Sequence, residues 1–235
     1  MGFSTEWDDR YRANTQMSTW PWSDLVSYVN RYAAPRSASC KVLELGCGAG
    51  ANIPFFRHLG VDYYAIEGSE FIVRRLWEAF PDYKAKIVTG DFTEDIPFDG
   101  PFDLVVDRSS LTHATTSGIR NALQMIRVRL SPGGKFIGID WFSTLHSDSQ
   151  KGTPREDENT RADMTQGQFA GIGSVHFSDR EHLIDLFSGF QMQVMEHKVV
   201  RKEIPRDEHV FASWNFVAAK AAGPLLEAAD AHERV

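Results

Sequence analysis

Residues 42–56 read VLELGCGAGANIPFF: an apolar run of strand length, then glycines at 46, 48 and 50, then a segment that can open a helix. A strand that runs through a glycine-rich turn into a helix N-terminus suits an anionic or nucleotide-type ligand. Backbone N–H groups and the positive end of the helix dipole converge there. Glycines in such a turn reach backbone dihedrals closed to other residues and remove Cβ atoms that would hold a ligand away. The spacing here is GxGxG, with Ala51 where a dinucleotide fingerprint GxGxxG has its third glycine. Alanine is tolerated at that place, so the glycines alone leave the ligand open. Glu44, two residues before the first glycine, is more informative. A charged side chain at a strand's end is expected to face the ligand mouth rather than the core. Cys47 and Asn52 belong to the same turn, and Pro54 is tolerated in the first helical turn, where an N–H is unpaired anyway.

Outward from this stretch, strand-length apolar runs alternate with segments of helical period, the pattern of βαβ units and a mostly parallel sheet. Strands are expected at 41–45, 62–67, 85–90, 102–107 and 135–141, and helices at about 52–59, 69–79 and 118–130. Pro132, Gly133 and Gly134 read as a turn before the fifth strand. A helix near 179–188 precedes strands at 190–200 and 210–220, which can pair antiparallel across the short connection IPRDEH. Before the first strand, WPWSDLVSYVNRYA reads as an amphipathic helix capped by Ser23 or Asp24. The 235 residues thus divide into an N-terminal helical cap (1–34), a core (40–141), an insertion or lid (142–177) and closing elements (178–220), all within one domain. The insertion is polar and aperiodic, and the tail after 220 reads as a frayed helix or disorder.

The run Glu-Leu-Gly-Cys-Gly-Ala-Gly resembles motif I of the class I S-adenosylmethionine-dependent methyltransferases, of the small-molecule kind represented by UbiE-like or type 11 domains. Later landmarks match in order. Glu67 and Gly68, in AIEGS, match the acidic turn whose carboxylate accepts from ribose hydroxyls. Asp91, in TGDF, matches the residue that accepts from the adenine amino group, with the Phe92 backbone amide beside it. Asp107 and Arg108, in VVDRSSLTHA, fall at motif IV beside the transferable methyl group, and His113 where many members carry a histidine. Tyr11, in WDDRY, resembles the aromatic residue that such enzymes present above the cofactor. The resemblance spans about residues 40–141. It implies a Rossmann-like three-layer α/β sandwich, a seven-stranded sheet with an antiparallel last strand, and S-adenosyl-L-methionine as cofactor. Each residue also has a plainer reading: Asp91 as a turn residue, Asp107 as a helix cap, His113 as packing.

Methyl transfer from a sulfonium needs alignment and desolvation of the nucleophile, and for a hydroxyl a base. No metal is required. The bases on offer are Asp107, Asp140, His113, His146 and His176, with His113 first and Asp107 beside it. Specificity is expected from residues 3–32 and 142–177, with Trp20, His146 and His176 as acceptor-binding candidates. This suits an O or N atom of a polar small molecule, for example a sugar or an amine. Two rivals remain: a non-catalytic S-adenosylmethionine-binding protein and a nicotinamide-dependent oxidoreductase. A net charge of −7 argues against nucleic acid as partner, and no apolar stretch reaches membrane-spanning length. Cys40 and Cys47 lack metal spacing, and the N-terminal residues lack a secretory signal, so cytoplasmic residence is the default. A homodimer is left open.

Overall fold

The computed structural model describes residues 6–221, so the expectation for the tail lies almost wholly outside the described residues. Seven strands form one sheet: β1 (Lys41–Leu45), β2 (Asp62–Glu67), β3 (Ile87–Thr89), β4 (Phe102–Arg108), β5 (Leu130–Phe142), and two late strands, β9 (Gln191–Glu203) and β10 (Arg206–Ala219). Their order is β3-β2-β1-β4-β5-β10-β9, with every pairing parallel except those of β10, which runs antiparallel to both neighbours. The order reverses direction between β1 and β4, which opens a crevice at the carboxyl ends of the strands.

Strand alternation explains the two cores. Leu43 and Leu45 pack on one face with Val105 and Phe136; Val42 packs on the other with Phe56, Tyr63, Leu104 and Val106. Helices α3 (Ile53–Leu59) and α4 (Glu70–Ala79) cover the second face, and α5 (Thr116–Arg129) and α6 (Arg180–Leu186) the first. Local chemistry starts these helices. Ser69, Thr115 and Asp179 each accept a first-turn amide with the side chain, at 3.3, 3.3 and 2.8 Å.

Four expectations need correction. The SPGG turn is an irregularity inside β5: Phe102 pairs Leu130 and Leu104 pairs Lys135, so β5 bulges while β4 advances two residues. The connection between β9 and β10 is only Ile204 and Pro205, the other residues of IPRDEH having joined β10. The N-terminal amphipathic segment forms only a short helix, α2 (Ser23–Tyr28), running into a π-helical turn over Val29–Ala33, and a separate helix, α1 (Glu6–Arg12), precedes it. Neither Ser23 nor Asp24 caps α2, whose N-cap is Trp22; Asp24 instead pairs with Lys198 at 2.8 Å. The polar insertion also has a fold of its own, a three-stranded sheet of β6 (Thr153–Arg155), β7 (Asp157–Ala162) and β8 (Val175–His176). It closes over a third cluster that includes Phe142, Phe169, Ile172 and Phe177, with Trp7 and Phe211 packed against it.

Candidate active site

A cavity of about 650 Å³ lies where the strand ends, α1 and the insertion meet. Its first half is built from the turn after β1. Each glycine there answers a different neighbour. Gly46 has φ +62° and a side chain on it would collide with Ser110, its Cβ falling 2.2 Å from Oγ. Gly48 has φ +52° and lies under Tyr11, whose hydroxyl would be 3.2 Å from an added Cβ. Gly50 does not reach the cavity wall; a Cβ there would meet Leu76 at 2.6 Å and Ile53 at 2.9 Å, so it serves helix packing rather than a ligand.

Glu44 differs from expectation. It shares the sheet face of Val42 and is buried, with Asn52 Nδ2 donating to it at 2.7 Å and the Tyr63 hydroxyl at 2.5 Å. One edge still lines the cavity. Burial pushes its carboxyl up to about 7 against those two hydrogen bonds, with Glu67 adding repulsion; no cation is among the groups that shift it. Glu67 ends β2 and accepts from the Gly48 amide at 2.8 Å and the Ser69 amide at 3.1 Å. Burial raises this acid too, opposed by the backbone amides. Asp91 Oδ1 accepts from the amide and hydroxyl of Thr93 at 2.9 and 2.6 Å, so its turn role is real, and with Phe92 it lines the cavity.

The second half is bounded by Trp7, His113, Phe142, Phe169, Ile172 and Phe211, with Arg108 and Asp140 to one side. His113 follows β4 in a single 3-10 turn (Leu111–His113), and its Nδ1 lies 3.0 Å from the Ser174 carbonyl oxygen. A carbonyl only accepts, so Nδ1 carries the proton and Nε2 is the bare nitrogen. Burial pushes the imidazole down to about 4, the carbonyl contact opposing. The ring is therefore neutral at pH 7, but a weaker base than the sequence suggested. Trp7 meets it edge-on at 4.9 Å between ring centroids. Arg108 stacks on Trp22, 3.4 Å from the ring centroid, and donates to Asp140 at 3.0 Å. Lys198 also reaches Asp140, at 2.5 Å, so that carboxylate is held between two cations.

Of the sequence candidates, the cavity thus gathers Tyr11, Glu44, Gly46, Cys47, Gly48, Asn52, Glu67, Gly68, Asp91, Phe92, Arg108 and His113. It does not gather Gly50, Asp107, Trp20, His146 or His176. Asp107 is fully buried, accepts from the Leu111 amide at 2.9 Å and thereby holds the start of the His113 turn. Its other oxygen has no hydrogen-bond partner among the described residues, and burial pushes this acid up to about 7. Trp20 is 82% exposed, outside the cavity. His146 lies behind the wall among Phe169, Phe177 and Phe211. His176 bonds Thr160 and His182, tying β8 to α6. Arg10, Ser110, Phe169 and Phe211 are wall residues that the motifs do not reveal. Only Arg10 left a trace, three residues after Trp7 on one helix.

A family model described as a methyltransferase domain matches residues 42–134. No curated protein matches the sequence. Among solved structures, a SAM-dependent methyltransferase from Methanosarcina mazei aligns at TM-score 0.64 and 14% identity, over 86% of this chain and 99% of that one. The PH0226 protein from Pyrococcus horikoshii aligns at 0.64 and 19%, over 93% and 100%. CalS10, a SAM-bound amino pentose methyltransferase from Micromonospora echinaspora, aligns at 0.56 and 18%, over 94% and 98%. At these identities the structures speak for the fold; the matched domain and the glycine turn speak for the chemistry. Residues 42–134 match a methyltransferase domain, and the chain as a whole has the fold of the SAM-dependent methyltransferases with which it aligns.

Proposed function

We propose that the chain transfers a methyl group to an oxygen or nitrogen atom of a polar small molecule such as a sugar or an amine. The observation that carries this reading is one cavity whose walls join the glycine turn, Glu67 and Asp91 to a neutral histidine with a defined bare nitrogen. The residues fit the cofactor: two buried acids, Glu44 and Glu67, have no cation among the neighbours that shift them, and a sulfonium with an ammonium group supplies positive charge. When bound, S-adenosylmethionine supplies an electrophilic methyl group; the acceptor's lone pair forms the new bond and the C–S electron pair stays on sulfur.

The chain's own residues do the rest. Glu67 accepts from the ribose hydroxyls, Asp91 from the adenine amino group beside the Phe92 amide, and Tyr11 closes the site over Gly48. Asn52 and Cys47 complete the wall around Glu44, with Gly68 and Arg108 at its flanks. His113 Nε2 accepts a hydrogen bond from the acceptor's O–H or N–H and so aims its lone pair. Its low basicity delays proton transfer until the forming bond has acidified that group. Trp7 and Phe142, packed on the imidazole, keep water from it.

Calorimetry with S-adenosylhomocysteine and with NAD, followed by labelled-methyl transfer to a panel of hydroxylated and amino metabolites, tests this reading. His113→Ala is expected to lower kcat about 100-fold or more for a hydroxyl acceptor while leaving S-adenosylhomocysteine affinity unchanged. Preference for NAD, or tight S-adenosylhomocysteine binding with no transfer to any metabolite, would overturn it.

A further inference from the structure

The acceptor half of the cavity is not uniformly polar, and its charge is not balanced. Phe142 sits 4.5 Å from Phe169 and 6.5 Å from Phe211, ring centroid to ring centroid, while Trp7 and Phe142 flank His113. The wall around the bare Nε2 is therefore a continuous aromatic surface, suited to the faces of a ring rather than to a chain of hydroxyls. On the polar side, Arg108 and Lys198 share Asp140, and Lys198 also reaches Asp24, so two cations and two carboxylates cancel.

Arg10 is left over. It lines the cavity and forms no ion pair among the described residues; its Nη2 donates to the carbonyl oxygens of Ala170 and Gly171 at 2.8 and 3.4 Å. These contacts hold the guanidinium against the segment that carries Phe169 and Ile172, and they leave its charge uncompensated. Trp7, three residues earlier on α1, lies edge-on to His113, so the helix face that carries both residues looks into the acceptor half. Tyr11, the next residue, turns to Gly48 and the cofactor side.

We propose that the methyl acceptor is a ring-bearing carboxylic acid, its ring on the aromatic wall, its hydroxyl or amino group at His113 and its carboxylate on Arg10. This rests on the methyl-transfer reading and narrows it. One uncompensated guanidinium matches a monoanion, and a carboxylate meets its planar fork with two parallel hydrogen bonds. A sugar or an alkylamine without an acid group leaves Arg10 without an ionic partner.

The test uses the full chain saturated with S-adenosylhomocysteine and pairs of ring compounds that differ only in the acid group, para-hydroxybenzoate against para-hydroxybenzamide and the corresponding amino and bicyclic pairs. At least one acid is expected to bind about tenfold or more tighter than its amide, in line with a charge-assisted contact. Arg10→Met should abolish that preference and Arg10→Lys should keep part of it, both with S-adenosylhomocysteine affinity unchanged. If no acid outbinds its amide, or if Arg10→Met keeps the preference, the assignment is overturned. It is equally overturned if Arg10→Met weakens S-adenosylhomocysteine itself tenfold, which would give the guanidinium to the cofactor's own carboxylate. Wild-type protein that fails to bind S-adenosylhomocysteine overturns the methyl-transfer reading instead.

Discussion

Glu67 accepts two backbone amides before any ligand arrives, from Gly48 and Ser69, and a carboxylate has room for further donors. Glu67→Ala removes that acceptor and leaves both amides unpaired. We expect about a 100-fold loss of S-adenosylhomocysteine affinity by calorimetry, with an unchanged circular dichroism spectrum, since charged hydrogen bonds contribute roughly 1.5–3 kcal/mol each. Unchanged affinity would remove Glu67 from the site. Gly46 carries a different kind of constraint. Alanine there must hold φ at +62° and displace Ser110 from 2.2 Å, so Gly46→Ala should cost on the order of 1–3 kcal/mol in denaturant unfolding. Gly46→Ala with Ser110→Gly should recover only the steric part. Full recovery would show that the backbone dihedral costs nothing.

The strands show where sequence pattern succeeds and where it fails. β1, β2 and β4 carry apolar runs because both sheet faces are covered, and that signal is local. β7, DENTRA, has no such signal: its strand pairing depends on Thr160 facing His176 and Arg161 facing Val175, and on Asn159 Nδ2 donating to the Phe177 carbonyl at 2.9 Å. Polar partners supplied by another segment hold it in place, so no period of two is needed within the strand. Between β5 and β10 the fit is steric: a Cβ on Gly138 would lie 2.3 Å from the Phe216 ring. Gly138→Ala is expected to lower unfolding free energy by roughly 1–3 kcal/mol, and Phe216→Leu in the same chain to restore part of it. Additive losses in that double mutant would mean that the two residues do not compete for space.

At the scale of the whole molecule, buried titratable groups of opposite tendency set the pH profile of stability. Glu44 and Asp107, each pushed up to about 7, stay protonated in the folded chain where the unfolded chain has released the proton. The folded state then binds more protons between the ordinary carboxylate range and 7, so stability falls as pH rises through that window. His113 and His146, pushed down to about 4, and His176, to about 3, do the reverse: the unfolded chain holds the extra protons up to about 6.5, and stability rises with pH over that range. The two trends oppose one another below 6.5, and the acids alone act from there to about 7. Thermal unfolding of the protein without cofactor should show a plateau near pH 6 and a decline towards 7.5. Glu44→Gln should reduce that decline by on the order of 1 kcal/mol. An equally steep decline in Glu44→Gln would mean that Glu44 is ionised in the folded state.

By itself the sequence determined the glycine-turn end of the cavity, because that end is assembled from strand termini. Glu44 and Glu67 lie at the ends of β1 and β2, and Asp91 comes just after β3; the apolar runs of these strands are visible, and a parallel sheet brings their termini side by side without further information. Tertiary structure alone decided the opposite, aromatic end. Trp7 and Arg10, His113, Phe142, Phe169 and Phe211 come from the N-terminal helix, the loop after β4, the end of β5, the insertion and β10, and no motif links them. His146 and His176 show the converse: with the right chemistry and in the expected segment, they face aromatic packing and the β8–α6 contact. Which of two equally suitable histidines meets the cavity depends on how the insertion folds onto the sheet, and side-chain direction there is set by packing between segments far apart in the chain.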